Sequence, residues 1–370
     1  MLPQRSRGAL SRLTMSSSSP RFYGIRADDD RGPSMIMFEK ENSMRRFASI
    51  ARLIACRLIP QPALRFLQDR FVYRPVIRQK KISVDAPPLF DTVFFEVRSR
   101  CNGRCRFCAA SVGNDTRPDL SMRPEIHEKV LRDLANIDFQ GRIAYHNNND
   151  PLVFKDLHLF VDRARKMVPK AYIQILSNGR ALTLEKADAL VRAGIDELSI
   201  NYYNDDLRAE LPRVFHEVPR VVLLKYFSSD QVEIKGISQD RVNPKAKFRY
   251  YVRRRLENEK LTSRAGTAPN KKIPDPRPRG FCQYPFTQFI VTADGRVPMC
   301  CADFNILVPV GDATRQGVME IWHGEALRRV RGVVLTGNRQ SLPTCRPCDF
   351  YGVKRPPDTL VGRCVYHITL

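Results

Sequence analysis

Between residues 91 and 201 the sequence alternates short apolar segments with longer segments whose apolar residues recur at helical spacing. The short segments are predicted strands at residues 92–98, 142–146, 171–176 and 196–201. Helices are predicted at residues 124–137, 153–168 and 183–193, the last ending before Gly194. Repeated strand–helix units predict a parallel α/β sheet with right-handed crossovers, whose chemistry lies on the loops after the strands.

The second half of the chain is less regular. Residues 221–227 and 247–254 are predicted as strands whose order in the sheet is left open. A Pro-, Gly- and Lys/Arg-rich stretch at residues 265–280 is a predicted linker. Beyond it, residues 287–300 predict a β-hairpin, with the dipeptide Asp294-Gly295 at the turn.

The net charge of +23 is distributed unevenly along the chain. Residues 1–90 contain 17 Lys and Arg against 7 Asp and Glu, and residues 241–280 contain 13 against 3. Such a surface is simply solvated, or it meets an anionic substrate, a nucleic acid or an anionic membrane. Because no separate recognition fold such as an RRM or KH domain is visible, nucleic acid is not the expected partner.

Three further segments are predicted to flank the two cysteine-containing parts of the chain. Residues 1–42 have the composition of a disordered tail, and residues 351–370 are predicted as a C-terminal tail. Residues 43–90 predict a basic helical extension, which packs on the following domain or makes peripheral contact with a membrane surface. The start of the chain lacks the apolar centre of a signal peptide, so we expect a reducing, cytoplasmic compartment.

Three of the ten cysteines lie within eight residues, directly after the first predicted strand. They are Cys101, Cys105 and Cys108, with the spacing C-x3-C-x2-C. A structural zinc site needs four closed ligands, and ferredoxin-type motifs also supply four. Three clustered thiols without a fourth nearby therefore indicate a metal centre with one position kept open.

This motif, with the aromatic residue Phe107 before its last cysteine, resembles that of the radical SAM superfamily. The resemblance implies a partial (β/α)6 TIM-like barrel. It also implies a 4Fe–4S cluster on the three cysteines, whose fourth iron binds S-adenosylmethionine (SAM). Reductive cleavage of SAM would give a 5′-deoxyadenosyl radical that abstracts hydrogen from a substrate. The implied partners are a small-molecule substrate and an electron donor such as flavodoxin or ferredoxin.

Other loops resemble the SAM-binding segments of the superfamily. The segment Asn148-Asn149-Asp150-Pro151 stands where the family carries a GGEP-like sequence that binds the methionine amino group, with Asp in place of Glu and Asn in place of both glycines. Ser177-Asn178-Gly179 resembles the ribose-side loop, and residues 262–266 resemble a segment near the end of the barrel. Ser199 is either a further nucleoside contact or an ordinary strand residue, and His146 faces either the substrate or the interior.

A second set of four cysteines is predicted to complete a closed metal site: Cys282, Cys300, Cys345 and Cys348. The number of ligands alone does not separate a cluster from zinc. The surrounding sequence resembles the SPASM/Twitch extension of radical SAM enzymes, and four thiols correspond to the Twitch form with one auxiliary 4Fe–4S cluster. The predicted domains are thus a radical SAM core at 91–264 and a small cysteine-rich β-hairpin/helix auxiliary-cluster domain at 281–350.

The sequence leaves the reaction open. Several enzymes of the layout that the resemblance implies act on sugars or cyclitols. The reaction is then a dehydrogenation, with an electron passed to the auxiliary cluster, or an epimerisation, with hydrogen returned from a thiol. The spare thiols are Cys56, Cys301 and Cys364, and Cys301, beside a predicted ligand, is the candidate catalytic residue. A ribosomal-peptide maturase and a non-enzymatic cysteine-cluster protein that binds nucleic acid are the alternatives.

Overall fold

A parallel sheet of seven strands forms the centre of the protein in the computed structural model. The structure describes residues 59–202, 212–235, 245–254, 262–269 and 280–369. The strands are β1 (Thr92–Phe95), β2 (Arg142–Ala144), β3 (Tyr172–Ser177), β4 (Glu197–Tyr202), β5 (Val232–Lys235), β6 (Phe248–Arg254) and β7 (Gln288–Val291). Their order in the sheet is β5–β6–β4–β3–β2–β1–β7, and every neighbouring pair is parallel.

Helices cover the sheet and extend the fold at both ends. They are α1 (Gln61–Gln68), α2 (Arg74–Gln79), α3 (Pro124–Asn136), α4 (Leu157–Met167), α5 (Leu184–Arg192), α6 (Pro212–Tyr226), α7 (Val318–His323), α8 (Glu325–Leu335) and α9 (Leu360–Thr369). A π-helical segment, Asp69–Tyr73, joins α1 to α2. A two-stranded antiparallel sheet follows β7 and consists of β8 (Arg296–Pro298) and β9 (Pro309–Asp312).

Helix α5 illustrates how the local sequence sets the element boundaries. The Thr183 side chain accepts a hydrogen bond from the Lys186 amide (3.2 Å) and caps the first turn. At the other end, Gly194 adopts a φ of +91°, a conformation that costs a residue without a Cβ little. The predicted end of this helix at Gly194 is confirmed, and the strand β4 begins three residues later.

Strand β7 does not form the predicted hairpin. Its residues pair in parallel with β1, from Thr92 opposite Gln288 to Phe95 opposite Val291. All four residues of β7 are buried, which suits a strand covered on both faces of a parallel sheet. The predicted turn is present, but β8 then pairs with β9, so the hairpin prediction for residues 287–300 is wrong.

Two further predictions are wrong for physical reasons. Residues 221–227 lie in helix α6 and its end, where Val218 and Val222 are buried while Val221 and Leu224 are exposed, a helical rather than an alternating pattern. Residues 360–369 form α9 instead of a tail, because the Tyr366 ring packs edge-on against Tyr351 with 5.0 Å between centroids. Strand β6 confirms the strand predicted at 247–254 and lies beside β4, with β5 on its outer side.

Several sequence predictions fall outside the described residues. They are the disordered tail at 1–42, the first part of the basic helical extension (43–58), the thiol Cys56 and most of the linker at 265–280. Within the described ranges, α1 and α2 make the later part of the N-terminal extension helical. No helix of those ranges is long and apolar enough to cross a membrane.

An aromatic cluster joins the sheet to the C-terminal part of the chain. Phe90, just before β1, lies 5.4 Å from Phe289 of β7 and 4.9 Å from Trp322 of α7, measured between ring centroids. All three side chains are fully buried. Burial of aromatic side chains of this size contributes about 1.5–3 kcal/mol each, so the packing of the second half of the chain stabilises β1.

The buried residue His127 has a defined tautomer. Its Nε2 lies 2.9 Å from the Tyr145 hydroxyl, which donates its single proton to the Phe160 carbonyl (3.0 Å). The imidazole must therefore donate from Nε2. Burial lowers the pKa of His127 to about 3, with a smaller contribution from Arg163, so the ring is neutral in the folded state.

In the unfolded chain His127 binds a proton near its ordinary pKa, whereas in the folded protein it stays neutral down to about pH 3. The contribution of the neutral ring to the free energy of unfolding, which is present above pH 6.5, is therefore lost as the pH falls toward 3. This residue alone should cost about 1.4 kcal/mol per pH unit in that window. The variant His127→Gln keeps a hydrogen-bond donor and does not titrate. Between pH 6.5 and 4.5, we expect its free energy of unfolding, measured with urea, to fall by about 2–3 kcal/mol less than that of the wild type. The matched control is the exposed His323→Gln, and equal pH slopes in wild type and His127→Gln would contradict the prediction.

Candidate functional site

The three clustered cysteines lie on the loop that follows β1, where all of them are half-buried. Gly103 lies against two of their sulfurs, since a Cβ there would be at ordinary contact distance, 3.4 Å from the Cys101 Sγ and 3.6 Å from the Cys105 Sγ. The Gly103 amide also donates to the Cys101 Sγ (3.3 Å). The structure therefore brings the predicted ligands of the first cluster around one small space.

The electrostatics of this loop suit a site that gains a metal. Burial, with smaller contributions from Asp150, Cys108 and Cys105, raises the pKa of Cys101 to about 12, while the Gly103 amide acts to lower it. A thiol in such surroundings stays protonated until a bound metal supplies positive charge, which deprotonates it. The donor set of three thiols with one position open fits a 4Fe–4S cluster that is completed by a second molecule.

Asp150 connects two of the predicted SAM-binding loops. Its carboxylate accepts hydrogen bonds from the Ser177 hydroxyl (2.9 Å), the Asn178 amide (2.7 Å) and the Leu152 amide (3.0 Å). Burial raises the pKa of Asp150, and these donors oppose that rise. Both carboxylate oxygens are thus engaged inside the protein, where they fix the loops after β2 and β3. Contact of Asp150 with the methionine amino group stays a prediction.

Asn178 connects the third loop to the cluster loop. Its Nδ2 donates to the Asn102 side chain (2.9 Å) and faces the Cys101 Sγ at 3.5 Å, while its Oδ1 accepts from the Arg180 amide (2.9 Å). The amide is held from both sides, so its orientation is defined. The ribose-side loop and the cysteine loop consequently form one connected wall.

These loops enclose a cavity of about 180 Å³. Its lining includes most of the predicted site residues: Cys101, Cys105, Phe107, Cys108, Asn148, Asn149, Asp150, Ser177 and Asn178. His146, Asn147, Asn201 and Arg264 complete the polar part of the wall. Ser199 does not reach it, because its hydroxyl donates to Glu197 on the same strand (2.6 Å).

A larger groove of about 640 Å³ lies elsewhere, between the starts of α3 and α4. Arg98, Arg123 and Arg163 line it, together with Glu128 and Asp156. It contains none of the residues that the sequence assigns to the cofactors. The smaller cavity, at the carboxyl ends of the parallel strands, is therefore the candidate site.

His146 contributes a neutral imidazole to the cavity. Burial lowers its pKa to about 3, with Arg142 adding to the effect. Its Nδ1 is buried and has no hydrogen-bond partner among the described residues. The ring packs edge-on against Phe94, 5.4 Å between centroids. An unsatisfied polar atom of this kind, on the wall of a cavity, is suited to a bound ligand.

Arg117 was not identified from the sequence, although it organises the cluster loop. It forms ion pairs with Glu96 (2.9 Å) and Asp115 (3.0 Å), and it donates to the Asn148 carbonyl (2.9 Å). Its guanidinium also stacks 4.0 Å above the Phe304 ring. Burial raises the pKa of Glu96, an effect that Arg117 opposes. One side chain thereby links β1, the Asn148 segment and the C-terminal part of the chain.

Arg264 holds the same segment from another direction. Its guanidinium donates to the Asn148 side chain and to the Cys301 carbonyl, the latter at 3.3 Å. It belongs to the segment 262–266, which resembles a segment of radical SAM enzymes. The sequence alone gave no role for Arg264. Arg264 places the loop of Cys301 against the wall of the cavity.

The second set of cysteines is also brought together. Cys282, Cys300, Cys345 and Cys348 are all buried. Burial raises the pKa of Cys300, and Cys301 and the other three cysteines of the set raise it further, which requires them to be neighbours. Cys301 is half-buried beside them, and Cys364 is exposed on α9.

Within the described ranges, no three Cys, His, Asp or Glu donors converge as ligands of a single metal ion. A 4Fe–4S cluster takes one thiolate per iron, so its ligands are spread around the cluster and need not meet at one point. The two cysteine sets therefore fit two clusters by the chemistry of their donors, and their roles as ligands stay predictions.

Comparison with known families agrees with this site. Residues 95–212 match the Radical SAM superfamily, and residues 282–349 match SPASM, an iron-sulfur cluster-binding domain. The chain is a radical SAM enzyme with a C-terminal SPASM domain, and its cofactors are SAM and 4Fe–4S clusters. It is an S-adenosylmethionine-dependent enzyme.

Individual relatives extend the comparison. An S-adenosyl-L-methionine-dependent 2-deoxy-scyllo-inosamine dehydrogenase of Niallia circulans is 27% identical over 266 residues, which are 72% of this chain and 95% of the relative. The crystal structure of BtrN in complex with AdoMet and 2-DOIA is similar with a TM-score of 0.56 and 25% identity. That match covers 73% of this chain and 97% of BtrN.

Proposed function

We propose that this enzyme dehydrogenates a secondary alcohol of a cyclitol or sugar and passes one electron to the auxiliary cluster. The observation that carries the proposal is the bridge made by Arg264, from Asn148 in the wall of the cavity to the carbonyl of Cys301 beside the second cysteine set. A substrate in the cavity would therefore border both centres. The similarity to a cyclitol dehydrogenase supports the same class of substrate.

When bound, the first cluster and SAM supply a 5′-deoxyadenosyl radical, and the auxiliary cluster supplies a one-electron acceptor. Oxidation of a carbinol to a ketone removes one hydrogen atom, one electron and the hydroxyl proton; the two cofactors would take the first two, and a base of the chain would take the proton. The chain itself has to orient the carbinol and receive the proton. Polar amides such as Asn149 and Asn201 are in place to bind hydroxyl groups.

We assign the receipt of the proton to His146. The ring lines the cavity and is neutral above its lowered pKa of about 3, so it can accept a hydrogen bond from a hydroxyl group over the whole physiological range. Its low basicity means that the imidazole does not retain the proton, so the transfer needs a further acceptor. A charged base in the place of His146 would lose its hydration each time a substrate binds, at a cost in free energy that the neutral ring avoids.

The proposal predicts one ketone for each deuterium transferred. Reconstituted, reduced enzyme should oxidise a cyclitol deuterated at the carbinol carbon, and the label should appear in 5′-deoxyadenosine in equal amount to the trapped ketone. Cys301→Ala should retain this activity, as should Cys364→Ala, a control at the exposed thiol. An epimeric product that carries solvent hydrogen and disappears only in Cys301→Ala would replace dehydrogenation by epimerisation. A modified peptide as sole product would favour the maturase alternative.

A further inference from the structure

A buried arginine without a carboxylate partner lies in the C-terminal part of the fold. Arg339 begins a 3-10 turn after α8, and only 1% of it is exposed. Its Nη2 donates to the Phe350 carbonyl, but its Nε is buried without a hydrogen-bond partner in the described part of the chain. None of the ion pairs between described residues includes it. A buried cation of this kind is costly unless an anion lies nearby.

The segments around Arg339 are those that carry the second cysteine set. Phe350, which accepts its hydrogen bond, follows Cys348 by two residues, and the Phe350 ring stacks on Tyr284 at 4.2 Å. Tyr284 in turn follows Cys282 by two residues. Burial lowers the pKa of Arg339, but Cys282, Cys348, Tyr73 and Cys345 outweigh it and raise that pKa overall. Once ionised or bound to metal, these cysteines are the main source of negative charge near Arg339.

Arg331 provides the contrast within the same region. It is as deeply buried, at 0% exposed, and it also lacks a carboxylate partner among the described residues. Its guanidinium donates to the Pro285 carbonyl (3.0 Å) and the Trp322 carbonyl (2.6 Å) and stacks on the Trp322 ring. Burial alone lowers its pKa to about 10, with no contribution from cysteine. Arg331 is held by two carbonyls and an aromatic ring, whereas Arg339 has one carbonyl partner among the described residues, two positions from Cys348.

We propose that Arg339 is the buried counter-charge of the auxiliary cluster and raises its reduction potential. A cluster on four thiolates carries net negative charge, and one-electron reduction adds to it. A fixed cation in a poorly solvated site therefore stabilises the reduced form more than the oxidised form. Its consequence for turnover rests on the proposed dehydrogenation, because a higher potential makes the cluster a better acceptor. The effect on the potential does not depend on the substrate.

Full-length protein with Cys101, Cys105 and Cys108 replaced by Ser isolates the auxiliary cluster for redox titration by electron paramagnetic resonance. In this background Arg339→Gln keeps a donor for the Phe350 carbonyl but removes the charge, and Arg339→Lys keeps the charge. We expect Arg339→Gln to lower the equilibrium constant for reduction at least about tenfold, about 59 mV for a one-electron couple. The reduction potentials of Arg339→Lys and of Arg331→Gln should both stay near that of the parent protein.

Equal potentials for the Gln and Lys variants would overturn the proposal, as would an equal shift in Arg331→Gln. A second readout uses the metal-free protein, in which the thiols are protonated and Arg339 has no counter-charge. There Arg339→Gln should raise the thermal unfolding midpoint, while in the loaded protein it should speed iron loss to a chelator. A lower midpoint in the metal-free protein would also count against the proposal. Since no substrate is present, a failure of ketone formation leaves these results unaffected.

Discussion

Replacing Cys300 with Ser is expected to abolish ketone formation while 5′-deoxyadenosine is still released. Cys300 is a buried member of the second cysteine set, so its loss removes a ligand of the auxiliary cluster and with it the electron acceptor. Cys101, Cys105 and Cys108 lie on a separate loop after β1 and keep the SAM-binding cluster. The measurement is parallel quantification of trapped ketone and 5′-deoxyadenosine, with iron content.

Cys364→Ser is the matched control, since it removes an exposed thiol on α9 and should change neither product. The Cys300 variant should contain about half the iron of the control, because each cluster binds its own set of thiolates. Ketone formation at the wild-type rate without the auxiliary cluster would mean that the second electron leaves by another route. The proposed acceptor would then be wrong.

Replacing Arg117 with Met is expected to lower the free energy of unfolding by about 3–5 kcal/mol, because it leaves the buried Glu96 without its partner. The ion pair measures 2.9 Å, and the Glu96 side chain is almost fully enclosed. Burial already raises the pKa of Glu96, and removal of Arg117 would raise it further. Protonation then relieves the unpaired charge, so the loss should be larger at pH 8 than at pH 5.

The comparison pair is Arg98 and Asp119, which lie 2.9 Å apart with 34% and 45% of their side chains exposed. Arg98→Met should cost only about 1 kcal/mol or less. The double variant Arg117→Met with Glu96→Gln should recover part of the stability, since the buried charge is removed as well. Equal losses in Arg117→Met and Arg98→Met, measured by denaturant unfolding, would show that burial of the pair does not matter.

The first four strands and the helices between them could be predicted because their signals are local. Apolar residues at helical spacing fixed α3 and α4, and Gly194 marked the end of α5. The parallel pairing of β7 with β1 could not be predicted in this way, since no short window records which distant strand lies alongside. Residues 221–227 were mistaken for a strand because branched apolar residues suit either structure, and only the surroundings of α6 show which faces are buried.

In the candidate site, too, the residues with a local sequence signal could be predicted, and those defined by long-range contacts could not. The cysteines were found because their spacing is dense and chemically specific, and Asp150 because it occupies a recognisable segment. The arginines that hold the site together were missed, because a chain with 62 Lys and Arg gives no sign of which few are buried. Arg117 and Arg264 acquire their roles from contacts with residues distant in the sequence. Ser199 was selected by position alone and bonds within its own strand.

The place of β7 beside β1 has a consequence for how the enzyme is made. The ribosome synthesises the chain from its N-terminus at about 5–20 residues per second. Strand β1 therefore waits for about ten seconds or more before Gln288–Val291 emerges to cover its free edge. During that time the strand that leads into the first cysteine loop presents unpaired backbone groups, a known starting point for aggregation. Nascent chains, and fragments that end before Gln288, are the forms of this protein that most need a chaperone.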